Sequence, residues 1–566
     1  MNFKQIISEK LNQALGQQVS NEKLEQLIEK PKDLARGDYA FPTFFLAKQF
    51  HQAPQHIAAD VVKKLNADGF EKIEAVGPYI NFFIQRDQFT SRIIKQILTQ
   101  ADFGKNQHGA GKNIVIDLSS PNIAKPMSMG HLRSTVIGEA ISKIAQANGY
   151  HTIKINFLGD WGTQFGLMIA SYKRWGNDQV INANPVDELV KLYVRINNEA
   201  QTKPELKDEG RHWFKKLEDG DPEATKLWSW FKEVSLKEFQ TIYDRLGVTF
   251  DSMNGESFYN DKMEPVVQLL ADKGLLTKSQ GAEIVDLPKL LPDANFPIAM
   301  IKRSDGATQY ITRDLASAIY RQDHYHFDKA LYVVGAEQKD HFEQMKAVLR
   351  LAGDGWADNI EHIGFGLITM NGKKMSTRKG NIVPLVDVLD AAHKLAAEQI
   401  AKKNPDLQNA EQIAEEVGTG AVIFNDLQND RNLAIDFNLE DIVQFEGDTG
   451  PYVQYTHVRA MSILRKAAQP VDSTQEIRLA DSEAWGIVAK LSEYGSAIQR
   501  AWQLREPSII AKYLLNLARE FNSYYANTKI LVADMNLNSR LALVKSVADV
   551  LASGLKLLGV AAPNKM

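Results

Sequence analysis

The chain has 566 residues, 44% of them apolar and 24% charged, a balance that argues against a disordered or fibrous protein and a length that calls for about three or four domains. It contains no cysteine, which removes disulfides, thiolate zinc sites and cysteine nucleophiles from its chemistry. A formal net charge of −4 argues against a DNA-coating protein but leaves room for local basic surfaces that hold an RNA.

At the amino terminus Phe3, Ile7, Leu11 and Leu15 share one helical face among charged residues, unlike the unbroken apolar run of a secretory signal. No stretch reaches the roughly 18 apolar residues that cross a bilayer, so a cytoplasmic location with no membrane partner is expected. Residues 1–100 read as a small α+β unit, with a second helical face on Ile57, Val61, Val62 and Leu65 and a strand at Tyr79–Ile84. The glycine-rich segment Asp102–Asn113 reads as a linker.

The run Ile114–Ser120 is a short apolar strand, followed by Pro121 and by Leu132, Val136, Ile137, Ala140 and Ile144 at helical spacing. Further buried-strand runs at Thr152–Phe157 and Ala330–Gly335 alternate with helices and predict a parallel, doubly wound α/β sheet over 112–385. Between about 170 and 280 the pattern turns helical, charged and aromatic, an insertion whose Trp213, Trp228, Trp230 and Phe231 read as core rather than as a base-stacking platform. A connecting helical segment over 386–447 leads to an all-α bundle over 448–566, whose last helix carries Leu543, Val547, Val550, Leu551 and Leu558 and ends at a glycine.

Two segments carry candidate chemistry. PNIAKPMSMGH (Pro121–His131) joins strand to helix, where ligands bind at the carboxyl end of parallel strands and helix amides receive phosphate. There Gly130 permits close backbone approach, His131 can donate to a phosphate oxygen and Lys125 adds positive charge, although a bland turn would use the Pro and Gly equally well. GKKMSTRKGN (Gly372–Asn381) packs four cations with Ser376 and Thr377 between two glycines, which suits either a polyphosphate or plain solvation.

In order along the chain, these segments resemble the paired HIGH and KMSKS signatures of class I aminoacyl-tRNA synthetases. GHLRST, GDWGTQFG, TQYITRDLA and VVGAEQKDHF resemble the arginyl family in particular. DTGPYVQYTHVRA is similar to the start of that family's helical anticodon-binding domain, and DLARGDYAFP with GPYINFF to its tRNA-elbow-binding domain.

The resemblance implies a Rossmann-type catalytic domain, ATP and L-arginine as substrates, Mg²⁺ accompanying ATP without a dedicated protein metal site, tRNA-Arg as partner, and a monomer. It implies that Lys125, Pro126, Ser128, Gly130, His131, Lys374, Met375, Ser376 and Arg378 serve ATP and catalysis. It implies that Asp117, Ser119, Asn122, Ser128, Tyr310, Asp314 and Gln338 bind arginine. A planar, permanently charged guanidinium requires carboxylates placed for paired contacts, and Tyr310 and Asp314, four apart, would share one helical face.

The chain departs from the family pattern twice. Ser128 stands where the first motif begins with histidine, and Thr377 where the second has its second lysine, a role the resemblance transfers to Lys125. These departures leave a catalytically impaired, synthetase-like tRNA-binding protein as the alternative reading.

Overall fold

The computed structural model describes residues 3–31, 33, 36–294, 296–304, 308–370, 373–374, 383–479 and 482–566, with backbone alone at Met370, Lys373, Lys374 and Ser482. The contacts divide the chain into one unit of Met1–Gly104, Thr456–Ala497 and Leu515–Leu551 and a second of Lys105–Tyr455, Ile498–Leu514 and Ala552–Met566.

In the first unit, helix α1 (Phe3–Ala14) buries Phe3, Ile7 and Leu11, the face expected from their spacing. Strands β1 (Tyr39–Pro42), β2 (Phe70–Val76) and β3 (Tyr79–Ile84) form an antiparallel sheet in the order β1-β3-β2, with helix α2 (Pro54–Lys64) between β1 and β2 in sequence. Helix α3 (Arg86–Thr99) follows and buries Phe89, Ile93, Ile94 and Ile97. The ring of Phe3 lies 4.5 Å from that of Phe89 and 6.0 Å from that of Phe70, so one aromatic cluster joins helices to sheet.

Asp38 is the polar node of this unit. Its carboxylate accepts the Ile84 amide at 2.8 Å and the indole N–H of Trp485 at 3.0 Å, and pairs with Arg86 at 2.8 Å. Trp485 belongs to the helix Ser482–Ser492, so segments from both ends of the chain share one buried network.

In the second unit, strands β4 (Asn113–Ser119), β5 (His151–Asn156), β9 (Lys329–Gly335) and β10 (Ile360–Phe365) form a parallel sheet in the order β10-β9-β4-β5. β4 is buried from Ile114 onward, as a central parallel strand covered on both faces must be. Helix α4 (Met129–Ala147) connects β4 to β5 and is buried nearly all round. Gly138 makes that packing possible, because a Cβ there would lie 2.2 Å from the Cβ of Leu118.

Helices α5 (Thr163–Trp175), α6 (Pro185–Glu199), α7 (Glu205–Glu218) and α8 (Pro222–Leu246) dominate the inserted region, beside shorter helices at Asp178–Ala183 and Met263–Asp272. Its aromatics include the fully buried Phe231, while Trp213 packs at the edge of a cluster of Ala170, Ile196, Ala200 and Leu206. The region does not stay helical to its end. β6 (Leu276–Ser279), β7 (Ala282–Val285) and β8 (Ala299–Lys302) form an antiparallel sheet, begun by a hairpin whose Gln280 and Gly281 both have positive φ, as a two-residue turn between twisted strands requires.

Beyond it come α9 (Tyr310–Tyr325) before β9 and α10 (Lys339–Ala352) before β10. Strand β11 (Ile368–Met370) pairs antiparallel with β12 (Lys373–Lys374) and parallel with β13 (Ile435–Phe437), across helices α11 (Leu385–Lys403) and α12 (Ala410–Leu427). The last helix, Leu537–Leu557, is buried on more than the expected stripe, since Leu541, Ala542 and Val544 are as inaccessible as Leu543 and Val547. Its stop is the left-handed Gly559.

Replacing Asp38 by alanine removes the acceptor shared by Arg86, Trp485 and the Ile84 amide. Asp38→Ala should cost the first unit about 2–4 kcal/mol. Hydrogen exchange followed by mass spectrometry should show faster exchange of Tyr39–Pro42 and Tyr79–Ile84 with that of β4 and β9 unchanged; uniform protection would refute the role of the node.

Candidate active site

The carboxyl ends of β4, β9 and β10 open into a cavity of about 500 Å³. Asp117, Ser128, Gly130, His131, Asp314 and Gln338 line it, together with Arg133, Phe157, Tyr332, His341, Phe342, Leu367 and Ile368. Its two ends differ in charge and in the elements that build them.

One end is the start of α4. The backbone amide of Ser128 donates to Nδ1 of His131 at 3.0 Å, with the Ser128 hydroxyl 3.1 Å from the same nitrogen. Because Nδ1 accepts, the proton of the neutral ring sits on Nε2. Burial, with help from the charge of Lys125, lowers the His131 pKa to about 4, so the ring is a neutral donor at physiological pH. It stands in the first turn of α4, where the helix dipole favours an anion.

The preceding loop is held under constraint. Ala124 has φ +60°, an uncommon left-handed conformation for a residue with a Cβ, and its amide donates to Ser235 Oγ of α8 at 2.9 Å. At the loop's other end, the amide of Leu385 donates to Met127 O at 2.8 Å, and Ser128 pairs with Pro384.

The other end is acidic. Asp117 of β4 sits opposite Tyr332 in the register and pairs with Arg321 of α9 at 2.8 Å, both side chains being buried. Arg321 also lies over the rings of Phe157 and Tyr332 at 5.3 and 5.1 Å. Burial raises the Asp117 pKa, Arg321 counteracts it, and Asp314 adds a further upward push.

Asp314 accepts Nε2 of His341 at 2.6 Å, a hydrogen bond that raises the histidine's pKa. Nearby, Glu256 is raised to about 7, chiefly by burial, with Arg313 3.7 Å away lowering it and Asp160 and Asp314 raising it. Asp314 thus adds to the pKa of both Asp117 and Glu256; Asp117 and Asp314 line the cavity, and Glu256 lies outside its lining.

Other expected site residues lie elsewhere. Ser119 is buried, its hydroxyl 2.9 Å from that of Tyr243, which also accepts from Asn156. Asn122 packs against Gly159, Lys125 extends over the ring of Tyr193 at 5.6 Å, and neither they nor Pro126 line the cavity. Tyr310 begins α9 one turn before Asp314 but is 73% exposed and also lies off the lining. Met375, Ser376 and Arg378 fall outside the described residues, and Lys374 is described only as backbone of β12.

Sequence reasoning passed over Arg321, His341 and Glu256. Arg321 lies two helical turns beyond Asp314 on the same face, and His341 stands inside VVGAEQKDHF; both were open to being found. Glu256, in the irregular NGESF stretch, offered no periodic signal.

Three family models match the chain. Residues 93–439 match the model for the catalytic domain of class I (R) tRNA synthetases, 453–566 that for the DALR anticodon binding domain, and 1–84 that for the arginyl tRNA synthetase N terminal domain. An arginine–tRNA ligase of Oenococcus oeni is 73% identical over 566 residues, covering 100% of both chains. The chain belongs to the arginyl-tRNA synthetase family. An arginine–tRNA ligase of Leuconostoc citreum is 59% identical over 95% of each chain. The structure of the Thermus thermophilus arginyl-tRNA synthetase superposes with a TM-score of 0.82 at 25% identity, covering 100% of both chains.

Within this member of the family the Asp117–Arg321 pair is a structural charge pair at the edge of the cavity. Arg321→Met should strand a buried carboxylate and cost about 3–5 kcal/mol, whereas adding Asp117→Asn should recover part of that loss. Urea unfolding of the two single mutants and the double mutant measures the coupling. Simple additivity would show that the two side chains act independently.

Proposed function

We propose that the chain is an arginine–tRNA ligase that activates L-arginine with ATP and transfers it to tRNA-Arg. The observation that carries this reading is the polarity of a single cavity, with a neutral Nε2–H donor on a helix amino terminus at one end and the carboxylates of Asp117 and Asp314, the second raising the pKa of the first, at the other. The first suits a phosphate, the second a guanidinium.

On this reading the carboxylate of arginine attacks the α-phosphorus of ATP in line, the bond to the β-phosphate breaks, and pyrophosphate leaves. His131 donates from Nε2 to an α-phosphate oxygen as charge develops, with Gly130 and Ser128 shaping the backbone around it. Mg²⁺ enters with ATP as part of the substrate and neutralises phosphate charge. Lys125 supplies a cation once its side chain leaves Tyr193, and the Lys374, Met375, Ser376 and Arg378 segment supplies the rest. The 3′-terminal ribose hydroxyl of the tRNA then attacks the carbonyl carbon of the adenylate, forming the ester and releasing AMP. No protein nucleophile takes part, and a single chain suffices.

Asp314 and Gln338 are proposed to hold arginine, with Glu256 beside them. Asp117 acts from the position that Arg321 gives it, and Tyr310, Ser119 and Asn122 contribute from the rim and from behind the wall. The amino-terminal module over 1–100 and the helices over 448–566 are assigned to the tRNA elbow and the anticodon.

ATP–pyrophosphate exchange with each of the twenty amino acids, with and without tRNA, tests the function. Exchange should respond to arginine alone and require tRNA-Arg; exchange with another amino acid would overturn the reading, and none at all would favour the impaired alternative.

A second measurement tests the arginine site. Bound guanidinium favours the carboxylate of Glu256, whose pKa of about 7 lies above its ordinary value, and competes with protonated His341 for Asp314. Both changes release protons, so arginine affinity should rise as pH increases towards about 7, the pKa of unliganded Glu256, and level off once both groups are deprotonated, by up to about tenfold per pH unit for each proton released. Calorimetry in buffers of different ionisation enthalpy reads the protons directly. Proton uptake on binding would place the guanidinium elsewhere.

A further inference from the structure

Arg133 has an unusual position in α4. It lines the cavity two residues beyond His131, yet its side chain is fully buried. Its guanidinium donates to Gly366 O at 2.7 Å, Leu433 O at 3.1 Å and Arg431 O at 3.3 Å, and ion-pairs through Nε with Asp426 of α12 at 3.0 Å. Asp426 is 3% exposed. A buried cation needs a counter-charge, and a planar fork is suited to holding several carbonyls at fixed angles.

The gripped carbonyls are strategically placed. Gly366 lies two residues before β11, and Leu433 two residues before β13. These are the two strands that pair in parallel, and β11 in turn carries β12, the Lys373–Lys374 strand. On the other side of the cationic segment, Leu385 N reaches back to Met127 O and Pro384 pairs with Ser128. Both flanks of that segment are therefore tied to the His131 segment, one through backbone and the other through Arg133.

We propose that Arg133 and Asp426 are positioning residues for adenylate formation, holding the β11–β12–β13 sheet in register with the amino-terminal turn of α4. The inference rests on the proposed synthetase reaction and adds a role to it, since neither residue is assigned to substrate. Its physical basis is that phosphate transfer depends on placing charge to within a fraction of an ångström, and one guanidinium spans the two elements that carry it. Burial raises the pKa of Asp426 to about 6, with Arg133 the charged group that opposes the shift.

The test uses the full chain. Asp426→Asn keeps the shape and removes the counter-charge; Arg133→Lys keeps the charge and loses the fork. Each variant should lower kcat of tRNA-dependent ATP–pyrophosphate exchange by about tenfold or more, while the arginine Kd from calorimetry stays within about twofold and the melting temperature of the adenylate-free enzyme confirms a folded protein. If the basic synthetase reading fails, the wild-type chain shows no arginine-dependent exchange, which separates that failure from this one. Wild-type kcat in either variant overturns the proposal. So does a loss of arginine affinity in proportion to kcat, which marks general damage to the cavity rather than misplacement of the charged sheet.

Discussion

Carboxylates buried in and beside the cavity dominate the chemistry of the second unit, because each buried charge must find a partner or give up its charge. Asp117 has Arg321 at 2.8 Å, whereas Glu256 has Arg313 only at 3.7 Å and is raised to about 7. Asp314 shares itself with a histidine whose proton it stabilises. The group is thus graded, from a fully paired structural carboxylate to carboxylates left open to a further cation. A ligand with a permanent charge and several donors completes that series, and without one Glu256 stays partly protonated at neutral pH.

The opposite end obeys the reverse constraint. His131 is kept neutral by burial and by Lys125, and the Ser128 amide decides which nitrogen bears the proton. An imidazolium there would add Coulomb attraction for phosphate but would also respond to pH. A neutral donor supplemented by the α4 dipole holds its role across the physiological range. The shape of the loop follows, since the left-handed Ala124, secured by Ser235, brings the chain into the first turn of α4 at the required angle.

Much of this architecture was legible in the sequence because its signals are local. The buried run at β4, the helical spacing over α4 and the Tyr79–Ile84 strand each declare themselves within a few residues. The β6–β8 sheet escaped because its strands are four residues long and alternate too briefly to declare themselves. Of the site, Asp117, Ser128, Gly130, His131, Asp314 and Gln338, each open to motif reasoning, line one cavity. Their partners were harder to see. Arg321 meets Asp117 across 204 positions of chain and Asp426 lies in another helix from Arg133, so no local pattern announces either pair.

Discrimination follows from the geometry of the acidic end on the proposed reading. Lysine would bring the same charge as arginine, but as a point with three donors that cannot meet separated carboxylates in one plane. Citrulline would bring the planar shape without the charge, leaving Glu256 no reason to ionise and Asp314 no reason to release His341. Each analogue therefore fails one of two independent requirements, and an unmet buried polar group costs more than a missing apolar contact. A site of this kind rejects its competitors at binding, so selectivity is set by the same carboxylates that hold the substrate and needs no second hydrolytic centre.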